Sequence, residues 1–158
     1  MMESAYEEFI REVGMRMLYL EKELEKLVGR ERAFEIIGKA NERALIELAE
    51  EQVDALGGFK NFEDYKVFFR KALTSPFLSC IVRGSIAKET PKEIAAHITD
   101  CLWHKTFRKL NATDLGYVVC CQPDFAVASH YHPKIKMKRT KTLMQGDECC
   151  NHTYYWEE

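Results

Sequence analysis

The most reactive side chains of the sequence gather between residues 120 and 152. They are thiols, imidazoles and a carboxylate: Cys120, Cys121, Asp124, His130, His132, Cys149, Cys150 and His152. Zinc and iron are bound by such groups, so a divalent metal such as zinc is a candidate cofactor, with Cys121, Cys150 and His152 as candidate ligands. No C-x-x-C spacing is present, and a buried, inert thiol is the simpler interpretation of most of these cysteines.

Cys150 and His152 stand two residues apart in a segment rich in β-branched and aromatic residues. Alternate residues of a strand project from the same face, so their side chains should lie on the same side. A neighbouring imidazolium or guanidinium lowers the pKa of a thiol and makes it a better nucleophile. The spacing therefore predicts a thiol–imidazole pair.

The segment between residues 134 and 143 alternates like a strand and carries an arginine on its apolar side. In that pattern the apolar residues share one face with Arg139. A guanidinium on a core-facing side needs an anionic partner. We expect this partner to be Asp124, Asp147 or the carboxylate of a substrate held bidentately. The alternative, that Arg139 and an aspartate form a purely structural pair and bind no substrate, has about equal weight from the sequence alone.

Three amphipathic helices precede this region. Apolar residues recur at steps of three and four from Ser4 to Val28, from about Glu31 to Ala55, and from Asn61 to Pro76. Further on, strands are predicted at Cys80–Val82, Lys92–Thr99, Tyr117–Cys121, Lys134–Leu143 and Cys149–Trp156, and short helices at Cys101–Leu110 and Asp124–Ser129. Helices followed by antiparallel strands indicate an α+β fold. We expect a single domain over residues 1–158, with a helical part at 1–75 and a sheet part at 76–158.

Composition and charge narrow the class of partner. The net charge is −2, and the basic residues from Lys134 to Lys141 have no interleaved aromatic residues, so no nucleic-acid partner is expected. No uncharged run approaches the roughly 18 residues of a membrane helix. The acidic N-terminal segment does not resemble a signal peptide, so we expect a cytoplasmic protein outside the membrane. The apolar helix faces pack either on the sheet or on a second copy, and a homodimer through the N-terminal helices is one expectation.

A series of short motifs follows Asp114 in the sequence. A cysteine precedes an aspartate by three residues, a strand reads Pro-x-Ile-x-x-x-Arg-Thr-x-Thr-Leu, and Gly-x-x-x-Cys precedes an aromatic end. The residues concerned are Cys121, Asp124, Pro133, Ile135, Arg139, Thr140, Thr142, Leu143, Gly146, Cys150 and, just beyond, His152. Over roughly residues 76–156 the sequence resembles the L-2-amino-thiazoline-4-carboxylic acid hydrolase family, including its segment around Cys101. It departs from that pattern at Asn151, where an acidic residue is common, and in the loop His130-Tyr131-His132.

The resemblance implies a hydrolase that opens a 2-aminothiazoline ring to N-carbamoyl-cysteine, cleaving a non-peptide C–N or C–S bond of a small anionic substrate. The catalytic groups that it implies are Cys121, Asp124, Cys150 and His152. A thiol would attack the ring carbon, or help to bind a metal that activates water, while Asp124 and His152 move protons. Substrate binding falls to Arg139, which would hold the carboxylate, and to Thr140, Thr142 and Cys101.

Two other functional classes fit the same residues. The basic strand and the pattern Gly-Asp-x-x-Cys are also similar to four-vinyl-reductase-like domains, which bind small molecules. In that case the same side chains would bind a ligand or a metal without turnover, and the helices would dimerise. A metal-dependent hydrolase with a Cys/His/Asp site is the third class. Turnover of aminothiazoline carboxylate and metal analysis of the purified protein discriminate between them.

Overall fold

Three helices form the N-terminal part of the chain. The computed structural model describes residues 2–157, with their side chains from residue 5 onward. The helices are α1 (Met2–Val28), α2 (Arg30–Leu56) and α3 (Phe62–Leu73). Gly57 ends α2 in the left-handed conformation, with φ 76°, and the Asn61 side chain caps α3 by accepting a hydrogen bond from the Asp64 backbone N–H. The three predicted helices are confirmed.

A four-stranded antiparallel sheet lies in the second part of the chain. Its strands are β1 (Val82–Glu89), β2 (Glu93–Cys101), β3 (Ile135–Lys138) and β4 (Cys150–Trp156). They lie in the order β1-β2-β4-β3, and each neighbouring pair is antiparallel. The predicted α+β class, with helices first and an antiparallel sheet after them, is confirmed.

Short helical segments connect the strands. They are α4 (Pro76–Ser79), α5 (Leu102–Lys109), α6 (Thr113–Gly116), a π-helical turn (Tyr117–Cys121), α7 (Asp124–Tyr131) and a 3-10 turn (Leu143–Gln145). The predicted helices near residues 101–110 and 124–129 correspond to α5 and α7. Most of this helical chain lies between β2 and β3, so it separates the two halves of the sheet in sequence.

The strand predicted at Tyr117–Cys121 is wrong, because these residues form the π-helical turn. The Gln122 N–H donates to the Tyr117 carbonyl at 2.8 Å, a bond that spans five residues. Tertiary contacts override the β-rich composition of the segment. Val119 is buried, and its carbonyl accepts a hydrogen bond from the side chain of Asn41 in α2.

Two other predicted strands have different limits in the structure. Of the segment Cys80–Val82, only Val82 lies in β1. Cys80 and Ile81 belong to the turn that follows α4, where the Ser75 hydroxyl accepts from the Leu78 N–H at 3.1 Å and the Ile81 N–H donates to the Leu78 carbonyl at 2.9 Å. The strand predicted at Lys134–Leu143 ends at Lys138. Beyond it, the Asn151 side-chain oxygen accepts from the backbone N–H groups of Thr140 and Lys141 at 2.9 and 2.7 Å, in place of a strand ladder.

The apolar interior lies between the helices and the sheet in three clusters. One joins Ile37 of α2 to Phe107 of α5, and the second joins Tyr65 of α3 to Ile135 of β3. The third packs Leu143 against the sheet. Helix α2 also packs against α7 and the π-helical turn, which holds the C-terminal reactive residues against the helical layer. Within residues 2–157, no helix has both the length and the apolar character needed to cross a bilayer.

Candidate functional site

Arg139 is the centre of a buried polar cluster formed by the ends of four elements. Its NH1 atom donates to Asp124 Oδ2 at 2.7 Å and lies 3.2 Å from His152 Nε2. Its NH2 atom donates to the Cys121 carbonyl at 2.9 Å. The cluster therefore joins the π-helical turn, the start of α7, the residue after β3, and β4. Of the partners predicted for Arg139, the structure places Asp124 beside it.

The Arg139 side chain is only 2% exposed and is enclosed by aromatic rings. Its guanidinium carbon lies 4.9 Å from the centre of the Phe125 ring and 5.8 Å from that of Tyr117. Both distances are within the range of a cation–π contact. Hydrogen bonds and aromatic rings together surround this guanidinium. These contacts suit a residue that holds its neighbours in position.

The charges of the cluster follow from burial and from Arg139. Burial raises the pKa of Asp124 to about 6, although the adjacent Arg139 guanidinium lowers it in part. Burial, and secondarily the positive charge of Arg139, lower the pKa of His152 to about 4. At neutral pH the site therefore holds a carboxylate and a neutral imidazole whose atoms Oδ2 and Nε2 are 3.8 Å apart. Because Arg139 can only donate, Nε2 is the accepting nitrogen and the ring proton lies on Nδ1.

The two thiols predicted to be reactive meet at Thr142. The Thr142 hydroxyl oxygen lies 3.8 Å from Cys121 Sγ and 3.6 Å from Cys150 Sγ, and the Leu143 N–H donates to Cys150 Sγ at 3.3 Å. Burial raises the pKa of the Cys121 thiol to about 12. Cys150 and His152 make their hydrogen bonds to different partners, so the predicted thiol–imidazole pair is not formed in this structure.

Thr140 and Cys101, predicted to bind substrate, make their side-chain contacts outside the cluster around Arg139. Thr140 is exposed, and its hydroxyl accepts a hydrogen bond from the Asn151 amide at 2.8 Å, which fixes the turn after β3. Cys101 ends β2 and packs against the apolar cluster that contains Cys150, where burial raises the pKa of its thiol. In this structure, therefore, Thr140 and Cys101 make their contacts with Asn151 and with the apolar cluster, respectively.

Asp124 connects the cluster to a cavity of about 400 Å³ between α2 and α7. Its side chain is 33% exposed, and the cavity is otherwise lined by Leu45, Leu48, Ala49, Gln52, Val127 and Tyr131. Cavities of this size accommodate small ligands. Among the side chains that the structure describes, from residue 5 to residue 157, no group of three or more His, Cys, Asp or Glu is arranged to hold a metal ion. The expected metal ligands Cys121, Cys150 and His152 thus do not form such a group.

A comparison with known protein families identifies the family of this chain. A model of the L-2-amino-thiazoline-4-carboxylic acid hydrolase family matches residues 5–154, nearly the whole chain. The chain belongs to this family. The resemblance seen in the C-terminal motifs is thereby confirmed and extended to the helical part. No curated protein matches the chain.

Solved structures of other proteins share the fold of this family member. One is the trafficking protein particle complex subunit 3 from Naegleria fowleri, covalently bound to palmitic acid, with a TM-score of 0.56, 9% identity, and coverage of 94% of this chain and 95% of that chain. Another is the phenol-responsive sensory domain of the transcription activator PoxR with phenol, with a TM-score of 0.54, 14% identity, and coverage of 93% of this chain and 74% of that chain. At these identities the likeness concerns the fold alone.

The sequence did not point to the aromatic residues around the cluster. Phe125 and Tyr117 flank the guanidinium, and Tyr131 lines the cavity beside Asp124. Phe125 is adjacent to Asp124 in sequence, but adjacency does not show which side chains of a helix approach a distant arginine. The sequence pattern placed Tyr117 in a strand. In the structure Tyr117 begins the π-helical turn that precedes Asp124, and the strand prediction did not indicate this position.

Proposed function

We propose that this member of the family hydrolyses a small cyclic amidine-like carboxylate, opening its ring at a non-peptide C–N or C–S bond. The observation that supports the proposal is the pairing of Asp124 with His152 through Arg139, together with the cavity that Asp124 lines. A carboxyl group whose pKa lies at about 6 is close to the operating pH of a neutral-pH enzyme, as general acid–base catalysis requires. The family to which the chain belongs supports the reaction class.

In this proposal Asp124 moves the proton. As a carboxylate it takes a proton from a water molecule that adds to the ring carbon between nitrogen and sulfur. The carbon–sulfur bond then breaks and the proton passes from Asp124 to the leaving sulfur. The water oxygen becomes the carbonyl oxygen of the carbamoyl product, and the second proton of the water moves to the ring nitrogen, which becomes the N–H of that product. One water molecule is consumed, and all atoms are accounted for. Among the catalytic groups implied by the family resemblance, Asp124 is the one that lines the cavity of about 400 Å³.

His152 and Arg139 act in the proposal as positioning groups. Arg139 holds the Asp124 carboxylate in one orientation, and the neutral His152 accepts a hydrogen bond from the same guanidinium. The proposal does not use Arg139 to bind the substrate carboxylate, because its guanidinium is already paired with the carboxylate of Asp124. Burial raises the pKa of the Cys121 thiol, which keeps it protonated at rest, and Cys150 Sγ is buried against the Thr142 hydroxyl and the Leu143 N–H and does not line the cavity. Direct attack by water therefore fits the site better than attack by a thiol.

The test is turnover of 2-aminothiazoline-4-carboxylate by the purified protein, followed as release of N-carbamoyl-cysteine. We expect Asp124→Asn to lower kcat/KM by a factor of about 100 or more, and His152→Gln to lower it less. Asp54→Asn is the matched control, because it makes the same chemical change on an exposed residue of α2. Thermal unfolding of each variant separates loss of chemistry from loss of fold.

Two results would redirect the proposal. Full turnover by Asp124→Asn would remove that carboxyl group from the reaction. Loss of all turnover in Cys150→Ser or Cys121→Ser, with an intact fold, would replace water by a thiol as the attacking group.

A second candidate function is reversible ligand binding without turnover. Two observations favour it: the polar groups around Arg139 already satisfy one another, and the fold is shared with a sensory domain that carries phenol. Saturable binding of 2-aminothiazoline-4-carboxylate in calorimetry, without any product after prolonged incubation, would favour this alternative over hydrolysis.

A further inference from the structure

A second cleft, of about 930 Å³, opens on the other side of Tyr117. Its walls come from α2, α5, α6, the π-helical turn and the 3-10 segment with the turn after it, and include Phe34, His104, Arg108, Tyr117, Met144 and Gly146. It shares no lining residue with the cavity beside Asp124. A space of this size falls within the range of small-molecule sites.

Two cationic or ionisable groups project into this cleft from one helix face. His104 and Arg108 are four residues apart on α5, so they lie one turn above the other. Among the residues that the structure describes, neither side chain has a hydrogen bond or an ion pair. His104 is half-buried, and desolvation, followed by the charge of Arg108, lowers its pKa.

The carboxylates of the same cleft already have partners. Asp114 forms an ion pair with Arg30 of α2, and Asp147 accepts a hydrogen bond from the Thr142 backbone N–H at 2.7 Å. The turn that carries Asp147 depends on Gly146, whose φ of 96° is in the left-handed region that glycine adopts without strain. The positive charge of this wall therefore comes from Arg108, and His104 beside it, whose pKa is lowered, contributes a neutral imidazole that can donate a hydrogen bond.

We propose that this cleft binds a small organic carboxylate. The anionic group would lie between His104 and Arg108, because a guanidinium binds a carboxylate through two parallel hydrogen bonds. The apolar body of the ligand would pack against Phe34, Tyr117 and Met144, which line the rest of the cleft. This site is separate from the proposed hydrolytic site and does not depend on hydrolysis.

The cleft nevertheless lies next to the cluster around Arg139, because both involve Tyr117. The Tyr117 ring lies on its wall, and the centre of this ring is 5.8 Å from the Arg139 guanidinium carbon. A ligand that packs on Tyr117 therefore contacts a residue that encloses Arg139. Binding in the cleft should change the environment of His152 without direct contact between the ligand and the imidazole.

Benzoate is a suitable probe, with benzamide as its neutral isostere. We expect benzoate to bind the full chain in calorimetry and to shift the ring resonances of His104, whereas benzamide binds much more weakly. Arg108→Gln should weaken benzoate binding about tenfold or more, as expected for loss of a charge-assisted hydrogen bond. Lys109→Gln is the matched control, since it removes the same charge from the next, exposed residue and should change affinity less than about twofold.

Three outcomes would overturn the proposal. They are equal weakening by Arg108→Gln and Lys109→Gln, equal affinity for benzoate and benzamide, and the absence of benzoate binding to the wild-type protein. Arg108 is exposed, so its replacement should leave the thermal unfolding curve unchanged, and that curve is recorded for each variant. Because hydrolysis is measured separately, its failure leaves this test intact.

Discussion

Replacing Arg139 by leucine tests whether this residue holds the cluster together. The side chain is 2% exposed, and its removal leaves Asp124 without its ionic partner and the Cys121 carbonyl without a donor. Breaking a buried ion pair by removing one partner costs about 3 to 5 kcal/mol. Asp124 is one third exposed at the cavity, so water solvates the remaining charge in part. We therefore expect the lower end of that range, a loss of about 3 kcal/mol in the free energy of unfolding.

Equilibrium unfolding in urea measures this loss. Lys141→Leu is the control, because its pair with Glu148 is exposed and should contribute less than about 1 kcal/mol. The double variant Arg139→Leu with Asp124→Asn should be more stable than the sum of the single effects predicts, by about 1 kcal/mol or more, since the unpaired charge is then gone. Arg139→Leu within about 1 kcal/mol of the wild type, or strict additivity in the double variant, would refute the reasoning.

Three further predictions concern acidity, reactivity and assembly. The raised pKa of Asp124 (about 6) makes the folded state more stable as the pH falls below that value. The lowered pKa of His152 (about 4, against an ordinary 6.5) makes the folded state less stable as the pH falls from 6.5 to about 4. The two effects oppose each other, so Asp124→Asn should steepen the loss of stability between about pH 6.5 and pH 4 in urea titrations, and an unchanged slope would contradict the assignment. Because burial raises the pKa of Cys121 to about 12, iodoacetamide should label this thiol at pH 7 only after urea is added, and rapid labelling of the native protein would contradict its burial. The stripe of Phe9, Leu20 and Leu27 on α1 is 59%, 47% and 79% exposed, so light scattering should show a dimer that Leu20→Glu dissociates, and a monomeric wild type would contradict this.

The sequence predicted most of the fold because local signals agreed with it. The apolar steps of three and four residues, the Asn61 cap and the glycine after α2 all specify helices without reference to the rest of the chain. The last strand was equally clear from its β-branched and aromatic residues. Predictions failed where distant residues decide the conformation. Val119 is held by Asn41 from α2, and Thr140 by Asn151 from β4, so neither local pattern contains the deciding contact.

The contact between Arg139 and Asp124 was predictable from chemistry, whereas the contacts of the residues around them were not. A guanidinium on a core-facing position requires an anion, and this requirement led to three candidates, Asp124, Asp147 and a substrate carboxylate, of which the structure places Asp124 beside Arg139. The spacing of Cys150 and His152 correctly suggested one strand, but their hydrogen-bond partners depend on Thr142 and Arg139, which arrive from another segment. The cleft beside Tyr117 is lined by residues from five separate elements and has no signature in the order of the residues.

The most direct test of the central claim is nitrogen NMR of the His152 ring, assigned by comparison with His152→Gln. The claim is that Arg139 donates to both Asp124 and His152 and so keeps a carboxylate beside an unprotonated Nε2. It predicts a neutral ring at pH 7 with its proton on Nδ1 and a titration midpoint near pH 4. A proton on Nε2, or a midpoint near the ordinary pH of 6.5, would show that Arg139 does not organise the site in this way.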